Sequence, residues 1–347
     1  MNVSGKMKIA VAMSGGVDSS VTAALLQQAG HEVVGITMSL FAGSAGAVAD
    51  ARKVADHLGI EHHVAGFEDR FAAEIKDYFV AEYRSGRTPN PCARCNRLIK
   101  FGALLDVAGS LGAGMLATGH YARIVTDPAG NRHLCQAVNL AKDQSYFLFS
   151  LTREQLGRVL FPLGGFTGKD EVRRVAAELG IPVAQKDDSQ DICFIPDGDY
   201  IGFLTRSGID ASPGDFVLAD GRVVGRHQGV HRYTVGQRRG MGIAWAEPLY
   251  VIRIEPATNR IVVGPEEELY CSGCRISDCN WLQPELLAAA GLTVKLRYRH
   301  RGAACRVRPG EGGRAEIEFA APEKGVTPGQ VAVVYLGDEV VGGGWIE

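Results

Sequence analysis

An α/β architecture is predicted for this 347-residue chain: a doubly wound parallel sheet, then a small central β-rich domain, then a C-terminal β-barrel. Three observations predict it. Apolar runs alternate with segments of helical spacing through the first half, as expected of parallel strands covered on both faces. A glycine-rich turn, Ser14 to Ser19, separates the first strand from the first helix, where open α/β sheets take ligands. From about residue 205 the pattern changes to short alternating strands broken by turn residues, as in small barrels. The expected boundaries are 1–204, 205–268 and 269–347.

Lys8 to Met13 reads as a buried strand, and Ser20 to Leu26 as a helix that Gly30 stops. Glu32 to Met38 is the second strand. Ala47 to Leu58 is helical, with Val48, Ala51, Val54, Ala55 and Leu58 on one face. An amphipathic stretch runs from Phe67 to Tyr83 and ends at Gly86. Asn96 to Leu111 is the next helix, and Gly114 to Thr118 a strand whose C-terminal end carries Gly119 and His120. Later strands are expected at Phe216–Leu218, Tyr250–Ile254, Arg260–Val263, Val294–Tyr298, Ala304–Val307, Ala315–Phe319 and Val331–Leu336.

Composition narrows the class. A hydrophobic fraction of 46% and a charged fraction of 22% suit a soluble globular protein. No apolar run nears the roughly 20 residues that cross a bilayer, and the N-terminus lacks a signal-peptide core, so a cytoplasmic protein is expected. The formal charge of −2 confines any RNA surface to a local patch. Eight cysteines in such a chain point to catalysis, redox chemistry or metal rather than to a disulfide scaffold.

The chemistry starts at Ser14-Gly15-Gly16-Val17-Asp18-Ser19. Glycines let backbone N–H groups approach a phosphate, and the helix dipole favours its charge. Ser14 and Ser19 add hydroxyl donors, and Asp18 suits Mg²⁺ held against phosphates. No Gly-x-x-x-x-Gly-Lys-Ser/Thr motif occurs, so the usual phosphate lysine has no counterpart by motif.

A second segment, Gly86 to Asn96, holds two prolines and then Cys92-Ala93-Arg94-Cys95. The prolines predict an exposed extended turn, with Cys95 just before a helix whose dipole, with Arg94, lowers its thiol pKa. The Cys-x-x-Cys could be a redox pair, half a zinc site with Cys271 and Cys274 (Cys279 lying nearby), or coincidence. Cys193 sits in Ile192–Ile195, which reads as a strand, after Asp187, Asp188 and Asp191, whose charges raise a thiol pKa. From the residues alone it is a packing cysteine, as are Cys135 and Cys305. Lys142-Asp143-Gln144 reads as a solvated start to an aromatic strand. Lys295, Arg297 and Arg299 would share one face of a strand, either a phosphate-tracking stripe beside Tyr298 or a protected edge. His227 to Gly240 is a further basic, glycine-rich stretch.

The Ser14–Ser19 loop resembles the pyrophosphate-binding (PP-loop) segment of the ATP pyrophosphatases, which split ATP to AMP and pyrophosphate. With GRTPNPCARCNRLIKFG, LATGHYAR, KDQSYFL, DSQDICFIP, YTVGQRRG, VKLRYRH and VTPGQVAVVY in order, nearly the whole chain resembles the bacterial tRNA-specific 2-thiouridylase (MnmA) family. The resemblance implies that ATP with Mg²⁺ adenylates the C2 oxygen of a tRNA wobble uridine, and that a persulfide sulfur then displaces AMP. It implies tRNAs of the Lys, Glu and Gln types, a persulfide donor or relay protein as partner, no membrane, and no permanently bound cofactor or structural metal. It places the nucleophile at Cys95 and the persulfide at Cys193, with a possible disulfide between them. ATP contacts fall on Ala12, Met13, Ser14, Gly15, Gly16, Val17, Asp18, Ser19, Met38 and Gly119. Contacts to tRNA fall on Asn90, Pro91, Cys92, His120, Lys142, Asp143, Gln144, Arg297, Tyr298 and Gln330. Two features depart from the family pattern: Cys92 stands where aspartate is common, and Ser39 to Ala49 is short and lacks an acidic, Trp-containing loop. Rival readings are a pyrophosphatase that adds ammonia to its adenylate, a non-catalytic tRNA-binding protein, and a metal-cluster sulfurtransferase.

Overall fold

Strand β1, Lys8–Ala12, forms the middle of the first sheet. Ile9, Ala10 and Val11 are fully buried, which explains why the run is apolar without alternation. The structure is a computed structural model that describes residues 5–186, 192–210 and 212–347. Asp187, Asp188 and Asp191, expected beside Cys193, lie outside the described residues.

The chain divides into two compact units, the first made of residues 1–75, 92–194 and 338–340. Its sheet contains β2 (Glu32–Ser39), β3 (Glu61–Gly66), β4 (Met115–Ala117) and, later in the chain, Val159–Leu160. The order is β3-β2-β1-β4 and then Val159–Leu160, with each pairing parallel. The chain winds outward from β1 through β2 and β3, then returns to the other side of β1 as β4. The switch point is therefore between β1 and β4, where ligands bind in open α/β sheets. The loop Ser14–Ser19 follows β1 and Thr118–His120 follows β4, so both expected ligand loops flank that point. Helices α1 (Val17–Gln28) and α2 (Ala45–Leu58) cover the sheet through Val21, Leu26, Ala51, Val54 and Ala55. This unit also holds an antiparallel hairpin that the sequence pattern does not announce: β5 (Ala122–Thr126) and β6 (Arg132–Gln136). With Val159–Leu160 as β7, the numbering follows the chain.

The second unit comprises residues 76–91, 195–337 and 341–347. Strands β8 (Gly214–Val217), β9 (Val223–His227), β10 (Tyr250–Glu255) and β11 (Arg260–Gly264) form a sheet ordered β10-β11-β8-β9 around Phe216, Val251, Ile261 and Val263. The barrel runs β12 (Tyr270–Trp281), β15 (Ala315–Lys324), β14 (Ala303–Pro309), β13 (Leu292–Lys295), β16 (Val331–Leu336) and β17 (Glu339–Ile346). Pairing of β12 with β17 closes it around Ile276, Val294, Ile317 and Val334. Closure removes the free edges an open sheet would expose.

Five expectations are corrected. Helix begins at Pro91, not Asn96, because proline suits a first helical position; Pro91–Cys95 runs into a wider-wound Asn96–Ala103 and then Leu104–Ser110. Pro89, Asn90 and Pro91 are buried rather than exposed. Strand β13 stops at Lys295, and residues 296–299 bend and turn, so Lys295, Arg297 and Arg299 do not share a strand face. Lys295 lies over the Tyr335 ring instead, at 5.2 Å. Ser145–Phe147 is a short 3₁₀ turn, and Cys193 lies in a turn, where strands were expected at both.

Candidate active site

Gly16 enters α1 in an extended conformation, and no side chain caps the helix among the described residues. Its first-turn N–H groups therefore face the loop, the arrangement that attracts phosphate. Ser19 Oγ orders the loop: it accepts from Ser14 N at 3.1 Å and donates to Gly16 O at 3.1 Å. Gly15 has φ +69, and a Cβ there would stand 2.4 Å from Ala47 O, so glycine is required on two counts. Gly119 seats against the start of α1; its Cβ would come within 2.9 Å of the Asp18 carbonyl carbon and Ser19 N. Met38 is the penultimate residue of β2 and is half-buried. Met13 is buried behind the loop, and its carbonyl accepts from Thr37 Oγ1 at 2.8 Å.

The loop's cations come from far along the chain. Lys169 Nζ donates to both oxygens of Asp18 at 2.8 Å, and Tyr121 Oη donates to Asp18 Oδ1 at 2.9 Å. Lys186 Nζ donates to Gly15 O at 3.1 Å and to Asp50 Oδ2 at 2.8 Å. Lys186, with Lys53, holds the Asp50 carboxyl below its ordinary range. Sequence reasoning missed both lysines at the loop. A signal for Lys169 exists: it opens helix Lys169–Glu178, where the dipole disfavours a cation, unless an anion is nearby.

Of the four cysteines in this unit, Cys135 is buried in β6 and three bear on the chemistry. Cys92 and Cys95 lie three residues apart in the turn Pro91–Cys95, hence on one helical face. Cys95 is 8% exposed, while Cys92 and Cys193 are open to water. Burial pushes the Cys95 thiol up to about 12, with Lys100 opposing and Cys193 and Cys92 adding to the rise. This corrects the expected lowering: burial outweighs the dipole, and Arg94 Nε donates to Glu74 O at 2.8 Å rather than facing the thiol. Desolvation also raises the Cys92 thiol, with Lys100 opposing. Cys193 bears on both thiols electrostatically. Its neighbour Phe194 is fixed edge-on to Phe71 at 5.6 Å, and Phe71 meets Phe41 at 6.2 Å. The short segment after Met38 thus helps anchor the Cys193 turn. Among the described residues no cysteine is disulfide-bonded.

His120 Nδ1 pairs with Thr118 Oγ1 at 2.7 Å, and its ring packs among Phe101 and Phe161. Burial, then Lys100, pushes its pKa well below the ordinary value, so the imidazole is neutral at pH 7. Asp143, 2% exposed, accepts from Ala137 N at 3.0 Å, Ser145 N at 3.2 Å and Ser145 Oγ at 2.9 Å, and so organises the turn presenting Lys142 and Gln144. Gln144 Oε1 in turn accepts from Tyr121 N at 3.0 Å.

Residues 7–197 match the tRNA methyl transferase HUP domain family, residues 202–265 the tRNA methyl transferase PRC-barrel domain family, and residues 271–346 the aminomethyltransferase beta-barrel domain family. A tRNA-specific 2-thiouridylase MnmA from Pelobacter propionicus is 53% identical over 345 residues, covering 98% of this chain and 97% of that protein. The MnmA of Trichlorobacter lovleyi is 52% identical over 344 residues, with 98% and 97% covered. That of Acidithiobacillus ferrooxidans is 47% identical over 347 residues, with 98% of each covered. The chain belongs to the tRNA-specific 2-thiouridylase family.

In this 2-thiouridylase the segment before the thiols is held by the second unit's own residues. Gln330 Nε2 donates to Thr88 O at 3.0 Å and Pro89 O at 3.1 Å, and Thr88 N donates to Pro328 O at 2.8 Å. Arg87 Nη2 donates to Ile346 O at 3.0 Å, and Arg87 Nε to Glu82 Oε2 at 2.8 Å. Asn90 is 5% exposed at the end of that segment. Arg297 and Tyr298 occupy the turn after β13, with Arg297 exposed. Cys271 and Cys274 lie in β12, and Cys274, Cys279 and Cys305 pack partly buried against the barrel core. Among the described residues, no group of three or more His, Cys, Asp or Glu side chains is placed to hold a metal ion.

Proposed function

We infer that this enzyme carries out ATP-dependent 2-thiolation of uridine in tRNA, as a tRNA sulfurtransferase. The observation that carries this reading is the pairing, in one compact unit, of an anion-binding loop with Cys92 and Cys95 on one helical turn and Cys193 within electrostatic reach of both. Loop and thiols correspond to the two halves of the reaction.

The activation half uses the loop. Backbone N–H groups at the start of α1 and the ammonium groups of Lys169 and Lys186 suit the pyrophosphate part of ATP, with Ser14 and Ser19 donating beside them. Magnesium is commonly held by one or two carboxylates together with substrate phosphates, and Asp18 fits that mode. Mg²⁺ bound there would neutralise phosphate charge. Lys169, which grips Asp18, would orient that carboxylate toward the loop. The uridine C2 oxygen attacks the α-phosphate, and pyrophosphate leaves. Neutral His120 beside Gly119 suits a hydrogen-bonding role toward the base rather than proton removal.

In the sulfur half, Cys193 carries the transferable sulfur as a persulfide, supplied by a donor or relay protein. Its position on an exposed turn supports both loading and delivery. The terminal sulfur attacks C2, AMP leaves, and a second thiol from the Cys92–Cys95 pair releases 2-thiouridine. We further propose that the wobble uridine of Lys-, Glu- and Gln-type tRNAs is the target, that Asn90, Pro91, Lys142, Gln144, Arg297, Tyr298 and Gln330 help hold it, and that the enzyme acts in the cytoplasm. No helix among the described residues is long and apolar enough to cross a membrane. The reading is tested by following pyrophosphate with ATP, Mg²⁺ and tRNA: release should require tRNA, and tRNA-independent release or none would contradict it.

A further inference from the structure

We propose that Arg87 is a positioning residue for the reaction: it braces the segment Thr88–Pro91 against the last strand of the barrel. The proposal rests on the thiolation reading, in which Asn90 and Pro91 help hold the target base. Every residue in the brace belongs to the second unit. The need for one follows from the sequence. Pro89 and Pro91 have no N–H, so the segment offers only the Thr88 and Asn90 amides and cannot join a strand ladder. Proline also steers Thr88 and Asn90, the residues before it, away from helix. Such a segment is stiff along its length but takes its place from its neighbours. Gly86, at φ +68, turns the chain into it; a Cβ there would stand 2.7 Å from Pro256 Cγ and 2.9 Å from Ile254 Cγ2. Thr88 Oγ1 then donates to Thr234 Oγ1 at 3.2 Å.

The barrel supplies the other bonds, and they meet at one carbonyl. Ile346 O, in β17, accepts from Gly329 N at 2.9 Å and from Arg87 Nη2 at 3.0 Å. Ile346 N donates to Gln330 O at 2.8 Å. Gln330 Nε2 donates to Thr88 O and Pro89 O, and Thr88 N donates to Pro328 O. Residues 328–330 therefore grip Thr88 and Pro89, β17 holds residues 328–330, and Arg87 joins β17 back to the segment, closing a ring of hydrogen bonds. Gly329 permits the approach: at φ +90, a Cβ there would lie 2.7 Å from Thr88 O. Arginine suits the closing position. Its Nε donates to Glu82 Oε2 at 2.8 Å while Nη2 donates to Ile346 O, and the planar fork fixes both directions at once. The Arg87 and Glu82 side chains are 29% and 19% exposed, so water screens the pair only in part. Misplacing a substrate-holding group by about 1 Å costs on the order of 100-fold in rate, so Arg87 need not touch substrate to govern the reaction.

The experiment uses full-length Arg87→Met and Arg87→Lys. Hydrogen–deuterium exchange of the resting proteins should be about tenfold faster over residues 86–91 in Arg87→Met, the scale of one lost hydrogen bond to a charged group, and unchanged over residues 8–19. Wild-type exchange over residues 86–91 overturns the proposal. So does a rise spread evenly through the chain, which marks a residue of general stability. In single turnovers with ATP, Mg²⁺, a persulfide source and a tRNA transcript, Arg87→Met should form 2-thiouridine about 10- to 100-fold more slowly. Its affinity for a non-hydrolysable ATP analogue should be unchanged, since Ser14–Ser19 lies in the other unit. Arg87→Lys should keep the fold and show the same slowing to a smaller degree, so the test does not depend on the folding of Arg87→Met. Binding of transcripts with uridine or cytidine at the target position gives a readout that stability alone does not move. Arg87→Met should narrow the wild-type preference for uridine. A full rate, or an undiminished preference, overturns the proposal. Failure of the thiolation reading is seen separately, as no 2-thiouridine from the wild type.

Discussion

Lys169 Nζ lies 2.8 Å from both carboxylate oxygens of Asp18, joining residues 151 positions apart in the chain. The pair is only partly screened, with the lysine side chain 11% and the aspartate 29% exposed. This lysine supplies the cation that the loop motif itself omits.

Lys169→Met should therefore slow tRNA-dependent pyrophosphate release by about 10- to 100-fold, the scale of one lost contact to a charged group. Lys169→Arg should recover part of it. Initial-rate assays over a range of ATP concentrations check this, and an unchanged kcat/KM for ATP would contradict it.

Gly119→Ala should disturb ATP binding because its Cβ would intrude within 2.9 Å of the backbone at Asp18 and Ser19. Overpacking of this kind costs about 1–3 kcal/mol. Isothermal titration with a non-hydrolysable ATP analogue should show weaker binding, and a thermal melt should show a lower Tm. Gly15→Ala should be worse, since positive φ adds to the clash with Ala47 O.

The buried Cys95 thiol gives a pH signature. Its pKa is raised in the folded protein, from an ordinary value of 9.0 to about 12. The folded chain therefore keeps a proton that the unfolded chain releases. The stability this contributes is complete below pH 9 and is lost as pH rises toward 12. Urea midpoints should fall between pH 8.5 and 10.5, and Cys95→Ser should flatten part of that slope. Midpoints that rise with pH would contradict the burial of this thiol.

Gln330→Ala removes two donated hydrogen bonds and leaves the Thr88 and Pro89 carbonyls without that partner. Each unmet buried carbonyl costs about 1–3 kcal/mol. Urea denaturation should register the loss. Gln330→Glu should not restore stability, because a carboxylate donates no hydrogen bond to those oxygens.

The sequence made the nucleotide half of the fold readable because its signals are local. A β1 with a fully buried centre, a glycine turn and the start of α1 are contiguous, and each residue's role follows from its neighbours. The residues that complete the loop are not contiguous: Lys186 donates to Gly15 from 171 positions away. Only the return of the chain to the sheet brings it there. Cys95 shows the same limit for chemistry. Its helix position and Arg94 argue for a reactive thiolate, but tertiary burial decides the outcome, and sequence spacing carries no information about burial depth. Cys193 fails in the opposite direction: the short apolar run Ile192–Ile195 after the aspartates suggested a packed strand, and the chain instead turns and exposes the thiol. Strand β17 hid behind Gly342, Gly343 and Gly344, poor strand formers in isolation. The barrel needs them, since a Cβ at Gly343 would stand 2.2 Å from Ala332 O.

The central claim is that ATP activation at Asp18 and Lys169 serves sulfur delivery from Cys193 to uridine. It is tested most directly by nucleoside mass spectrometry of tRNA incubated with the protein, ATP, Mg²⁺ and a persulfide source. The wild type should give 2-thiouridine in step with AMP, and Cys193→Ser should give AMP without 2-thiouridine. Equal 2-thiouridine from the wild type and Cys193→Ser would contradict it.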